Sequence, residues 1–126
     1  MAITFNESTK IFTLQTAETT YQMMVGRYNI LQHLYYGKRV DGSTMDYLLW
    51  GTDAGFSGNP YEAEGDRTFS LDIQPQEFPS QGVGDYRTSC IEAVNPDGTM
   101  AADFRYVSHE ITKGAYKITG MPAVYE

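Results

Sequence analysis

Short runs in which apolar and polar residues alternate fill the N-terminal third of the chain. Ile3-Thr4-Phe5 meets the turn-forming Asn6-Glu7-Ser8, and Ile11–Thr16 follows with Phe12 and Leu14 on one face. Thr19–Val25 is broken by Gly26, and Ile30–Tyr36 is closed by Gly37-Lys38. Period-two runs of this length, separated by turn residues, predict a meander of strands and not strands alternating with helices.

Beyond residue 50 the pattern changes twice. Gly51 to Pro60 is too rich in breakers for a regular element, yet Trp50, Phe56 and Tyr61 mark it as an ordered loop. Arg67–Asp72 alternates again, with Phe69 and Leu71 facing one way, which predicts a strand. Ile73 to Asp85 carries Pro75, Pro79, Gly82 and Gly84 and reads as a second irregular segment. Thr88–Val94 reads as a strand, and Asn95-Pro96-Asp97-Gly98 as a tight turn leading to a returning strand over Met100–Lys113, bulged near Tyr106-Val107. Gly114 and Gly120-Met121-Pro122 break up a tail that runs to Tyr125-Glu126. No repeat, heptad or helical period is visible. The expectation is one all-β domain over residues 1–126, an antiparallel β-sandwich.

Composition narrows the function classes. Ten tyrosines and six phenylalanines beside twelve glycines favour strands and turns, and tyrosine suits both a sandwich core and contact with sugars. The net charge of −7 comes without any cluster of Lys or Arg, so neither nucleic acid nor an anionic membrane surface is an expected partner. The opening Met1–Glu7 has no basic start or apolar run, and no stretch approaches the ~20 apolar residues of a membrane span, so the cytoplasm is the expected compartment. Cys90 is the single cysteine, which excludes an intrachain disulfide. Within Thr88-Ser89-Cys90-Ile91 it reads as a small buried hydrophobe.

Candidate chemistry is sparse. His33 and His109 lie apart, each inside an expected strand, without metal-ligand spacing, and neither a metal nor another cofactor is expected. Gly51, Gly55 and Gly58 lack the spacing and following Lys of a phosphate loop, and no nucleophile elbow occurs. Asp53, Asp66, Asp72 and Asp85 sit in loops or at strand edges, where aspartate commonly serves a turn, and no pair stands out as the two carboxylates of glycoside hydrolysis. No catalytic residue is assigned.

Four stretches in order along the chain nevertheless resemble the N-terminal region of glycoside hydrolase family 36 α-galactosidases, bacterial enzymes that cleave raffinose and melibiose. They are His33–Lys38, Phe56–Pro60, Asp66–Asp72 with Gln76–Pro79, and Asp103–His109 followed by Lys113-Gly114 and Gly120–Ala123. The resemblance implies a supersandwich-type β domain that leads into a (β/α)₈ barrel carrying both catalytic aspartates. The chain is then the first part of a longer enzyme and inactive alone. It also implies retaining hydrolysis of terminal α-galactosyl residues through a covalent intermediate.

Further implications concern partners and sugar contact. The resemblance implies a homo-oligomer, tetrameric in many relatives, in which a loop matching Gly51 to Pro60 reaches a neighbouring subunit's active site. Asp53 matches a sugar-contacting aspartate and Arg67 an arginine near the same pocket; Ala54 stands where some relatives carry a basic residue. From the residues alone, Asp53 also reads as a turn cap, and Arg67 equally as a partner of Asp66, Asp72 or a loop carboxylate. A stand-alone carbohydrate-binding β-sandwich module, using Trp50, Tyr35, Tyr36 and Tyr61, is the alternative.

Overall fold

In the computed structural model, residues 2–53, 55, 58–114 and 118–122 are described. The early alternation becomes four strands, β1 (Ala2–Asn6), β2 (Ile11–Gln15), β3 (Thr19–Val25) and β4 (Leu31–Lys38), in one antiparallel sheet of order β1-β2-β3-β4. Each turn has a local cause. The Asn6 carboxamide accepts from the backbone N–H groups of Ser8 and Thr9 at 2.9 and 3.2 Å, bending the first hairpin. Thr16 Oγ1 does the same for Glu18 and Thr19 in the second. In the third, Tyr28 and Asn29 both adopt φ of 58°.

The sheet has two unlike faces. Phe5 pairs with Phe12, and Ile3 with Leu14, on a face that Tyr21 and Met23 continue. Phe5 and Phe12 rings lie 4.3 Å apart, and His109 packs edge-on against both. The opposite face carries Thr13, Thr20 and Gln22, and the last two are fully buried. Burial of these polar groups is compensated by the segment after β4. The Val40 N–H donates to Thr20 Oγ1, Gln22 Nε2 donates to the Ser43 carbonyl, and the Met45 N–H donates to Gln22 Oε1 at 3.0 to 3.1 Å. Sequence placed a bulge near Tyr106; the register shift instead falls between Gln22 and Met23, opposite Leu34, a buried residue.

The chain is all-β, as its pattern predicts, but the later strands differ from expectation. Phe69 and Leu71, expected to face one way, are both buried and form a core with Ile30, flanked by Tyr28 and Val83. Residues 67–72 nonetheless make turns and no ladder. Their backbone groups are already engaged: Asn59 Nδ2 donates to the carbonyls of Asp66 and Phe69, and the Ser70 carbonyl accepts from Ile73 and Gln74. Residues 88–94 contribute one parallel bridge, Ser80 to Ile91, and residues 100–113 form no ladder among the described residues. The tight turn between them does form, with Gly98 N–H donating to the Asn95 carbonyl at 2.9 Å. Cys90 is exposed, not buried, and its backbone N–H donates to the Pro79 carbonyl. Phe56, Ala54 and the closing Tyr125-Glu126 fall outside the described residues. Among those described, no helix is long and apolar enough to cross a membrane.

Candidate functional site

The loop after Trp50 is fixed at both ends by close backbone approach. A Cβ on Gly51 would come within 2.5 Å of the Thr68 carbonyl, and one on Gly58 within 2.0 Å of the Gly84 carbonyl. Only glycine permits these contacts. The Gly58 carbonyl also accepts from the Leu71 N–H at 2.9 Å. The loop is therefore seated on the segment 66–71 whose Phe69 and Leu71 belong to the core.

This seating brings Asp53 to Arg67. Arg67 Nη2 lies 2.9 Å from Asp53 Oδ1, and the side chains remain 54% and 60% exposed respectively. The same carboxylate oxygen accepts from the Gly55 N–H at 2.8 Å. Asp53 is thus both a turn cap and an ion-pair partner, and the two readings left open by the residues coexist. Arg67 pairs with the loop carboxylate, while the other two candidates have other partners. Asp72 accepts from Ser70 Oγ, and Asp66 accepts from Arg27 and from the Thr68 N–H and hydroxyl. Those Thr68 bonds, with the Arg27 guanidinium next in importance, hold the Asp66 carboxyl down at about 2.

Tyr47, Trp50 and Tyr61 are all more than 70% exposed. A carboxylate held beside a guanidinium can bind a hydroxylated ligand by hydrogen bonding. The pair does not supply acid–base hydrolysis, which requires two carboxyl groups across one bond. Among the described residues no group of three His, Cys, Asp or Glu side chains is arranged to hold a metal ion.

Sequence reasoning missed three residues that organise this region. Arg27 reaches Asp66 from the β3–β4 turn, and its guanidinium sits 5.3 Å from the Phe69 ring centre. Nothing local announces a partner that distant in sequence. Glu77 accepts from the Tyr21 hydroxyl and lies 3.1 Å from His33 Nδ1, tying the second irregular segment to β3 and β4. Burial, then the Glu77 contact, raises the Tyr21 phenol well above its ordinary range. Arg87 grips Asp85, whose side chain is 1% exposed, and donates to the Leu71 and Gln74 carbonyls. The spacing of Asp85 and Arg87, two apart with one tyrosine between, was the one available signal for that clasp.

A profile of the glycosyl hydrolase family 36 N-terminal domain matches residues 29–126. The chain belongs to this family. Over 125 residues it is 53% identical to the bifunctional α-galactosidase/sucrose kinase AgaSK of Mediterraneibacter gnavus and 36% identical to the α-galactosidase AgaA of Geobacillus stearothermophilus. Each alignment covers 99% of this chain, which spans 13% and 17% of the length of those two relatives. The galactosidase domain of AgaSK superposes with a TM-score of 0.93 at 52% identity, over 99% of this chain and 17% of that one. The α-galactosidase AgaB of G. stearothermophilus superposes with a TM-score of 0.85 at 39% identity, over 99% and 16%. The family 36 domain described here therefore corresponds to the N-terminal domain of α-galactosidases, and its Asp53–Arg67 pair lies on a surface loop of that domain.

Proposed function

We propose that this domain opens a retaining α-galactosidase acting on terminal α-galactosyl residues of melibiose- and raffinose-type oligosaccharides, and that its 51–60 loop presents Asp53 and Arg67 to the sugar. The observation that carries the reading is the 2.9 Å Asp53–Arg67 pair, exposed on a loop anchored at both ends. A carboxylate accepts from vicinal sugar hydroxyls, and a guanidinium held beside it donates to them. Both groups stay solvent-accessible, so little must move for a sugar to bind. The relatives support the substrate class: they carry α-galactosidase names, and a doubly substituted AgaA has been crystallised with raffinose. In this reading the two catalytic carboxylates belong to polypeptide beyond Glu126. The enzyme is a homo-oligomer in which the loop serves a neighbouring subunit.

The test compares the full-length protein with residues 1–126 in raffinose and melibiose hydrolysis. Turnover by the full-length protein alone is the expected result, with Asp53→Ala raising KM about tenfold, the worth of one charge-assisted hydrogen bond. Turnover that purifies with residues 1–126 overturns the assignment of catalysis to the remainder.

A second reading, an autonomous sugar-binding module, is favoured by the exposure of Trp50 and Tyr61, at 71% and 96%. Calorimetric titration of residues 1–126 with raffinose separates the two. Binding that survives without the rest of the polypeptide and is lost in Trp50→Ala favours the module.

A further inference from the structure

We infer that Arg27 is a positioning residue for the sugar-facing pair: by occupying Asp66 it leaves Arg67 to Asp53. The inference rests on the reading of Asp53 and Arg67 given above and extends it to a residue that touches neither.

Arg67 follows Asp66 directly, so the carboxylate nearest to it along the chain is a competitor for its guanidinium. Three donors prevent that capture. Arg27 Nη2 takes Asp66 Oδ2, and the Thr68 N–H and hydroxyl take Oδ1 at 2.9 and 2.6 Å. With both oxygens engaged, Asp66 offers Arg67 a poorer partner than Asp53 does. The bonds to Thr68 also close a tight turn that spans Arg67.

Arg27 is itself held firmly enough to play this part. Its Nη2 also donates to the Tyr28 hydroxyl at 2.8 Å, and its guanidinium lies over the rings of Tyr28 and Phe69 at 5.1 and 5.3 Å. Phe69 is buried in the core with Ile30 and Leu71. The chain of contact runs from the core through Arg27 to Asp66 and Thr68, and then to Arg67 and Asp53. Gly51 against the Thr68 carbonyl brings the Asp53 loop to the same point. The low Asp66 titration keeps this arrangement charged throughout the range in which a glycosidase is assayed.

The experiment uses the full-length protein and raffinose hydrolysis, with Asp53→Ala, Arg27→Gln, Arg27→Lys, Asp66→Asn and Thr68→Val. Arg27→Gln is expected to raise KM on the order of fivefold while kcat stays within about twofold, because a misplaced binding group weakens uniform binding. Arg27→Lys, which keeps the charge, should recover most of the loss. Arg27→Gln combined with Asp53→Ala should bind no worse than Asp53→Ala alone, since the first acts only through the second. A purely structural role predicts instead that the two losses add and that kcat and thermal midpoint fall together. Should Arg27→Gln or Asp66→Asn fail to fold, Thr68→Val decides, with a smaller KM rise of the same kind expected. A raised KM in Asp53→Ala beside wild-type KM in the Arg27, Asp66 and Thr68 variants overturns this inference alone. Wild-type KM in Asp53→Ala overturns the sugar reading and this inference with it.

Discussion

Arg67 and Asp53 meet at 2.9 Å with more than half of each side chain in solvent, so their pairing has little to do with holding the fold together. Exposed ion pairs of this kind contribute little net stability, because water solvates both charges almost as well as they solvate each other. The loop beneath them is another matter, since it is fixed by glycine contacts and carbonyl acceptors that no side chain on the surface controls.

Replacing Asp53 or Arg67 by alanine should therefore shift unfolding free energy by no more than about 0.5 kcal/mol. Denaturant titration checks this. A loss several times larger would mark the pair as structural and weaken its reading as a binding group.

Gly58→Ala should be costly, because its Cβ would stand 2.0 Å from the Gly84 carbonyl oxygen, a contact between two backbones that neither can yield. Separating the two loops is expected to remove at least about 2 kcal/mol. Gly42→Ala is the control: nothing lies within 4 Å of the added methyl, and a change within about 0.5 kcal/mol is expected. Equal midpoints for the two variants would contradict the packing described.

The Asp85–Arg87 clasp predicts acid sensitivity. Burial pushes the Asp85 carboxyl upward, but hydrogen bonds and charge from Arg87, with a bond from Gln76, outweigh it and leave the group below its ordinary value. A carboxyl lowered in the folded state stabilises above its unfolded pKa, and that stability is lost as pH falls through the folded value. Asp66, held at about 2, works in the same direction. Midpoints should therefore decline from about pH 4 downward. Arg87→Ala should cost about 2 kcal/mol at neutral pH, by removing the guanidinium from a buried carboxylate that keeps only the Gln76 side chain and the backbone N–H of residue 87 as donors.

At the other end of the pH scale the Tyr21 phenol is raised by burial and by Glu77. A group raised in the folded state stabilises fully below its unfolded pKa, and the contribution is lost as pH rises through the folded value. Wild-type stability should fall above about pH 10, where the unfolded tyrosine ionises. Tyr21→Phe should lack that component, and at neutral pH lose about 1 kcal/mol with the hydrogen bond. Parallel alkaline limbs for the two proteins would count against it.

Alternation of polar and apolar residues by itself determined the four-strand meander and its turns, because strand periodicity and turn chemistry act over neighbouring residues. Family resemblance, a matter of ordered motifs, was also legible in the chain, and it singled out Asp53 and Arg67. Which carboxylate Arg67 takes was not: Asp66, Asp72 and Asp53 were equivalent on paper. Tertiary structure decided it by bringing Arg27 across from another turn to occupy Asp66. The same holds for the segments read as later strands. Residues 67–72 have a strand's alternation, yet Asn59 and local turns claim the backbone groups that a ladder needs. Buried Thr20 and Gln22, polar positions that alternation assigns to solvent, are covered because Val40 to Met45 folds back to satisfy them. In each case the deciding partner lies far along the chain. Only closure of the fold, which satisfies one group at the expense of another, selects among partners that are locally equal.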